Sequence, residues 1–138
     1  MPIIHFHLAA EAYSETQQTQ LMARATALYC EVLKSPVERV RVYIQPYAAR
    51  QVMVGGKRLA DGAVDAPYFH FLVLEGRPLG ERHALLSGFT ELIVDCLGVE
   101  RSRVRGGCWP ISPEDWAIAG TPASVARAAE VAARAVKV

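Results

Sequence analysis

Two stretches of this chain are copies of one another. Residues 2–7 read PIIHFH and residues 67–72 read PYFHFL. A proline opens each, and histidine then phenylalanine follow at matching offsets, His5 and Phe6 against His70 and Phe71. Further on, within 38–44 (ERVRVYI) and 101–107 (RSRVRGG), RVR at 39–41 matches RVR at 103–105, which pairs Arg41 with Arg105; Gly56 and Gly120 then each lie 15 positions beyond their arginine. The offset is 65 residues at the prolines and 64 at the arginines. Two copies are too few for a solenoid, whose core is buried by stacking further repeats. The duplication instead implies one pseudo-symmetric domain: unit one at 2–56, a linker at 57–66 and unit two at 67–120, with extra material at 121–138.

Each unit reads as strand, helix, strand. Residues 2–8 are short, apolar and rich in strand formers. The run Ser14-Glu15-Thr16-Gln17 has the spacing of a capping box, with Ser14 as N-cap. Leu21, Ala25, Leu28, Tyr29 and Val32 then recur at helical spacing, and Pro36 ends the helix. Residues 40–44 alternate as a second strand, and 52–56 suit a short hairpin on a glycine turn. Unit two repeats this order. A strand at 68–74 leads to the turn Glu75-Gly76-Arg77-Pro78. A helix follows, carrying Leu85, Leu86, Phe89, Leu92, Ile93 and Cys96 on one face and stopping at Gly98, and then a strand near 104–108. Thr121, Pro122 and an alanine-rich tail predict an added C-terminal helix over 121–138. Parallel strands need a right-handed crossover. The expected fold is therefore α+β: two β-α-β units forming a four-stranded sheet with both helices on one face. The other face carries apolar side chains and needs other subunits to cover it.

The totals narrow the function. The chain is 51% hydrophobic and 21% charged, with a net charge of +1, a composition for a globular domain without the basic stripe of a nucleic-acid binder. The start lacks the basic and apolar regions of a secretory signal, and no apolar run approaches the ~20 residues that span a bilayer. Cys30, Cys96 and Cys108 have no metal-type spacing and suit reduced thiols in a cytoplasmic protein. No metal motif, phosphate loop or Ser-His-Asp arrangement is present, so no cofactor and no metal are expected, and His5 and His70 read as structural strand residues.

The paired openings PIIHFHL and PYFHFLVLEGRP, with VRVYI and V-x-V-G-G behind them, resemble the tautomerase superfamily, in particular 4-oxalocrotonate tautomerase (4-OT)-like enzymes. The doubled length is similar to its fused members, among them the cis-3-chloroacrylic acid dehalogenase and malonate semialdehyde decarboxylase groups. QPYAARQVMVGG at 45–56 resembles the former and SPEDWA at 112–117 the latter. The resemblance implies a homotrimer and a small carboxylate substrate. It also implies a keto–enol tautomerase whose base is Pro2, once Met1 is removed. A free α-amino group titrates at about 7.7–8.0, and an apolar pocket beside arginines would lower that value toward one useful to a general base.

The resemblance gives roles to four further residues. Arg77 stands at the arginine of L-E-G-R and would hold the substrate carboxylate through its two-pronged guanidinium; unit one has Ala12 at the matching place. Arg41 and Arg105 both match a strand arginine that polarises the substrate carbonyl, and the repeat leaves open which of them faces Pro2. Trp116 matches an aromatic wall of the pocket, with Val52 as its counterpart in unit one. Pro67 is internal, so its nitrogen cannot be a base. The sequence departs from the dehalogenase group in three places. Leu74 replaces a second carboxylate-binding arginine, Cys30 falls near a helix histidine, and Ile118 falls near a late glutamate. Glu38, close to the acidic residue of the decarboxylase group, reads as an exposed charge. Hydration, decarboxylation or dehalogenation of a three-carbon acid, or a silent scaffold if Met1 is retained, are the alternatives.

Overall fold

The computed structural model describes residues 2–137. Its central sheet is built from β1 (Ile3–Ala9), β2 (Arg41–Tyr47), β5 (Tyr68–Leu74) and β6 (Arg105–Ile111) in the order β2-β1-β5-β6. Each unit supplies a parallel pair, β1 with β2 and β5 with β6, and the units meet along the antiparallel β1–β5 seam. In that seam His5 lies opposite His70, its own repeat copy, so the pseudo-twofold axis passes between the two histidines. Arg41 opposite Ile3 and Arg105 opposite Tyr68 occupy the same register in their two halves.

Helices α1 (Glu15–Leu33) and α2 (Leu79–Leu97) make the two crossovers. The capping box at the start of α1 is formed: the Gln17 amide donates to Ser14 Oγ at 3.1 Å, and the Ser14 amide donates to Gln17 Oε1 at 2.8 Å. α1 ends on Lys34 and α2 on Gly98, both left-handed. Alternate strand residues Ile4, Phe6 and Leu8, with Phe69, Phe71 and Val73, turn toward the helices and are at most 2% exposed. They meet Leu21, Ala25, Tyr29 and Leu33 of α1, and the register-equivalent Leu85, Phe89, Ile93 and Leu97 of α2. The two halves are not copies in volume. Phe89 stands where Ala25 stands in unit one, and its ring packs edge-on against Phe6, Tyr29, Phe69 and Phe71 at 5.1–6.1 Å. The helices come close at Gly88, where an added Cβ would lie 2.6 Å from Leu28 Cδ2.

The opposite sheet face differs from the apolar surface expected. A row of stacked rings crosses all four strands, Tyr43 on His5 at 5.1 Å, His5 on His70 at 4.8 Å and His70 on Trp109 at 4.2 Å. His7 shares hydrogen bonds with the Tyr47 hydroxyl at 2.7 Å and with His70 Nδ1 at 3.1 Å. Burial, and then the charge of His5, hold His7 below the usual imidazole range; His70 is lowered in the same way, with His7 as a further cause.

Short hairpins follow each outer strand. β3 (Met53–Val54) and β4 (Lys57–Arg58) turn on Gly55 and Gly56, both at positive φ, so the stretch read as linker opens with the hairpin's second strand. β7 (Ala117–Ile118) and β8 (Thr121–Pro122) turn on Ala119 and Gly120 in the same way, with Ala119 taking φ 50° where unit one has glycine. The C-terminal helix therefore starts later than the sequence predicts. Thr121 and Pro122 pair with β7, and the helix comes in two pieces, α3 (Ala123–Ala126) and α4 (Ala128–Lys137), broken at Arg127. Among the described residues no helix is long and apolar enough to cross a membrane. Met1 and Val138 lie outside the described residues.

Candidate active site

Antiparallel pairing of β1 with β5 places the start of one strand beside the end of the other. Pro2, before β1, therefore meets Val73, Leu74 and Arg77 at the end of β5, and a cavity of about 540 Å³ opens between them. Pro2 itself is buried. Its carbonyl accepts from the Arg41 amide at 3.1 Å, which fixes the start of β2 beside it, and Arg41 lines the cavity. The Tyr29 hydroxyl bridges the same end of the seam, lying 3.0 Å from the Ile3 carbonyl and 3.1 Å from that of Leu72. Unit two has Ile93 at the equivalent helix position, so this hydroxyl bridge is not repeated by the symmetry-related residue.

Arg77 is held from two sides. Its Nη1 donates to the Leu33 carbonyl at 3.1 Å and to Glu81 Oε1 at 3.2 Å, and the side chain is only 16% exposed. Such anchoring orients the guanidinium before any ligand arrives. The cavity is strongly cationic: Lys34, Arg39, Arg41, Arg77, Arg127 and Arg134 line it against Glu38 and Glu130. Arg39 is bound by Glu130, at 3.1 and 3.2 Å to its two oxygens. Among the described residues no group of His, Cys, Asp and Glu side chains is placed to hold a metal ion.

The structure brings Pro2, Arg41 and Arg77 together but places Arg105 and Trp116 elsewhere. The Arg105 amide donates to the Pro67 carbonyl at 3.1 Å, repeating at the internal proline the contact Arg41 makes with Pro2. Register equivalence made the two arginines indistinguishable in sequence; strand order separates them. Trp116 does not line the cavity. It precedes β7, its carbonyl accepts from the Ala123 amide at 2.8 Å, and Ile118 supplies the apolar wall instead. Glu38, read as an exposed charge, is exposed and also lines the cavity. Sequence reasoning missed Arg39, Glu130, Arg127 and Arg134. The last three recur at helical spacing in an otherwise alanine-rich tail, a stripe visible in the sequence.

At the other end of the seam a cavity of about 380 Å³ is lined by His7, Leu8, Tyr47, Asp65 and Tyr68 among others. Here the counterpart of Arg77 is Ala12, and the linker carboxylate of Asp65 accepts from the Ala9 amide at 3.1 Å and the Tyr13 hydroxyl at 2.7 Å. Burial first, and then Asp65, push the Tyr13 hydroxyl well above the usual phenol range. The two ends of the pseudo-symmetric sheet thus have different chemistry: a basic cavity at Pro2 and an acidic tether near Pro67.

A duplicated β-α-β sheet with a proline and two arginines at one end defines a class, and comparison with known proteins agrees with it. Residues 2–62 match the family model described as tautomerase enzyme. No curated protein matches the chain. A native fused 4-OT is 25% identical, with a TM-score of 0.81 over 88% of this chain and 95% of that one. A wild-type fused 4-OT described as a symmetric trimer is 23% identical, with a TM-score of 0.79 over 90% and 98%. A member of the cis-3-chloroacrylic acid dehalogenase family is 17% identical and shares the fold, with a TM-score of 0.75 over 91% and 88%. The first unit thus carries the pattern of the tautomerase family, and the chain as a whole shares the fold of the fused two-unit 4-OT structures.

Proposed function

We propose that this protein is a cofactor-independent keto–enol tautomerase of 2-oxo carboxylates, with Pro2 as its base after removal of Met1. The observation that carries this reading is the meeting of Pro2, Arg41 and Arg77 at one cavity. With Met1 gone, Pro2 is a secondary amine at a buried position, beside cations that disfavour its protonation. Arg77, already oriented by Leu33 and Glu81, holds the substrate carboxylate. Arg41 stabilises the oxygen as it becomes carbonyl or enolate. The amine takes the enol proton and the resulting ammonium returns one to carbon, so no atom is gained or lost. Arg105 and Trp116, both away from this cavity, have no part in the scheme within one chain.

A homotrimer is part of the proposal. The fused 4-OT relative is described as a symmetric trimer, and the ring-lined sheet face of this chain leaves Tyr43 and Trp109 about half exposed, at 47% and 50%. Packing of three such faces would bury them.

The test is ketonisation of phenylenolpyruvate and 2-hydroxymuconate, followed by ultraviolet absorbance on protein whose mass shows Met1 removed. Acceleration that disappears in Pro2→Ala is the expected result. No acceleration with a free Pro2 would refute the tautomerase reading and leave hydration or decarboxylation, read by product analysis with an acetylenic acid or malonate semialdehyde.

A further inference from the structure

The helix α4 contradicts the usual pattern of a surface helix, which turns its apolar stripe inward and its charges to water. Arg127, just before it, and Glu130, Val131 and Arg134 lie at i, i+3, i+4 and i+7, and all four are half-buried against the body of the protein. The alanines between them face outward, exposed. Three of the four inward residues are charged, and they line the Pro2 cavity.

Arg134 is the member whose bonding is incomplete. Its side chain is 19% exposed, and its Nη1 is buried with no hydrogen-bond partner among the described residues. The nearest carboxylate, Glu130, lies 3.8 Å from Nη2 and is engaged by Arg39 at shorter range. A Cβ added at Gly76 would sit 3.6 Å from Arg134 Cβ, so the helix rests on the residue next to Arg77. Burial first, and then the Arg77 charge, disfavour the protonated form of Arg134. A buried donor without an acceptor, close to a like charge, is costly unless an anion joins them. Leu74 blocks the alternative of a second arginine on the strand itself, since that position is a buried leucine.

We propose that Arg134 is a substrate-binding residue: from the C-terminal helix it joins Arg77 in holding one carboxylate of the substrate within the Pro2 cavity. This rests on the assignment of that cavity as the active site. It makes the helix outside the repeat a working part of the site, and it supplies a two-guanidinium clamp that the strands do not provide. The ligand chemistry is that of a small carboxylate, because two planar guanidinium forks match its oxygens.

The test is calorimetric titration of the full chain with crotonate and with crotonamide, which has the same carbon skeleton without the charge. Arg134→Gln is expected to weaken crotonate binding by about tenfold or more, as loss of a charge-assisted bond predicts, and to leave crotonamide unchanged. Arg134→Lys, which keeps the charge and loses the fork, should recover part of the affinity. If Arg77→Gln loses crotonate while Arg134→Gln binds it within about twofold of wild type, the role of Arg134 is overturned and the site stands. If wild type does not bind crotonate, or Arg77→Gln binds it unchanged, the site assignment itself falls, and this inference with it. Should Arg134→Gln not fold, an unchanged affinity in Arg134→Lys overturns the proposal equally.

Discussion

Tyr29→Phe isolates one hydroxyl at the junction of the two units. The ring is fully buried among Phe71 and Phe89 and would not move, so packing is conserved. What is lost is the single O–H that bridges the Ile3 and Leu72 carbonyls at 3.0 and 3.1 Å. One hydroxyl donates one proton, so one neutral hydrogen bond is removed and a buried carbonyl loses its partner. That is worth about 1–2 kcal/mol, or about 3–8 °C in thermal midpoint for a chain of this size. Burial, with Cys108 as a lesser cause, pushes this hydroxyl far above the usual phenol range, so it remains a donor at every accessible pH. Because Ile3 directly follows Pro2, the variant should also lose ketonisation activity, with kcat/KM falling several-fold. The assays are thermal unfolding followed by circular dichroism and ketonisation kinetics on the same preparation. A midpoint within about 1 °C of wild type, together with unchanged kinetics, would refute the reasoning that this hydroxyl pins the seam.

Three other outcomes follow from the packing and the charges. Phe89→Ala removes the ring at the centre of the aromatic core and should cost about 3–5 kcal/mol, read by urea denaturation; a loss below about 1 kcal/mol would mean that Ala25 and its neighbours collapse into the space. His7 and His70 are held below the ordinary imidazole value of about 6.5, so the unfolded chain binds protons first as pH falls. Stability should therefore be full above that value and decline as pH drops through the folded-state values, and His7→Gln combined with His70→Gln should flatten the decline; equal slopes in both proteins would count against it. Arg77→Ala should raise KM and lower kcat/KM by about tenfold or more, the loss of a charge-assisted carboxylate contact, and wild-type kinetics would remove Arg77 from the site.

The duplication made most of the fold legible. Matching spacing, to within one residue, of Pro2, Arg41 and Gly56 with Pro67, Arg105 and Gly120 implied two copies of one unit, and the hydrophobic periods within each unit gave its strands and helix. The same symmetry limited the site. Arg41 and Arg105 are equivalent by every local measure, and only the antiparallel seam, a contact across 65 residues, decides which end each serves. Trp116 took its role from the family resemblance, whereas the neighbouring hairpin turns Ile118 to the cavity. The outer face read as apolar because the strands are hydrophobic overall; its histidines stack in a row because strand register aligns them. Tyr29 fitted the core by periodicity, but the partner of its hydroxyl is backbone at the end of two other strands, which no helix pattern reveals. Arg134 was hidden by composition: an alanine-rich tail looks like an appended cover, and its charged stripe acquires meaning only from the cavity beneath it.

The central claim is that Pro2 carries the proton. The most direct measurement is the pH dependence of kcat/KM for phenylenolpyruvate ketonisation between about pH 5 and 9, on protein confirmed by mass to begin at Pro2. The account predicts a rate that rises as a single group loses its proton below the ordinary amine range of about 7.7–8.0, and that is abolished in Pro2→Ala. A profile and rate unchanged in Pro2→Ala would contradict it.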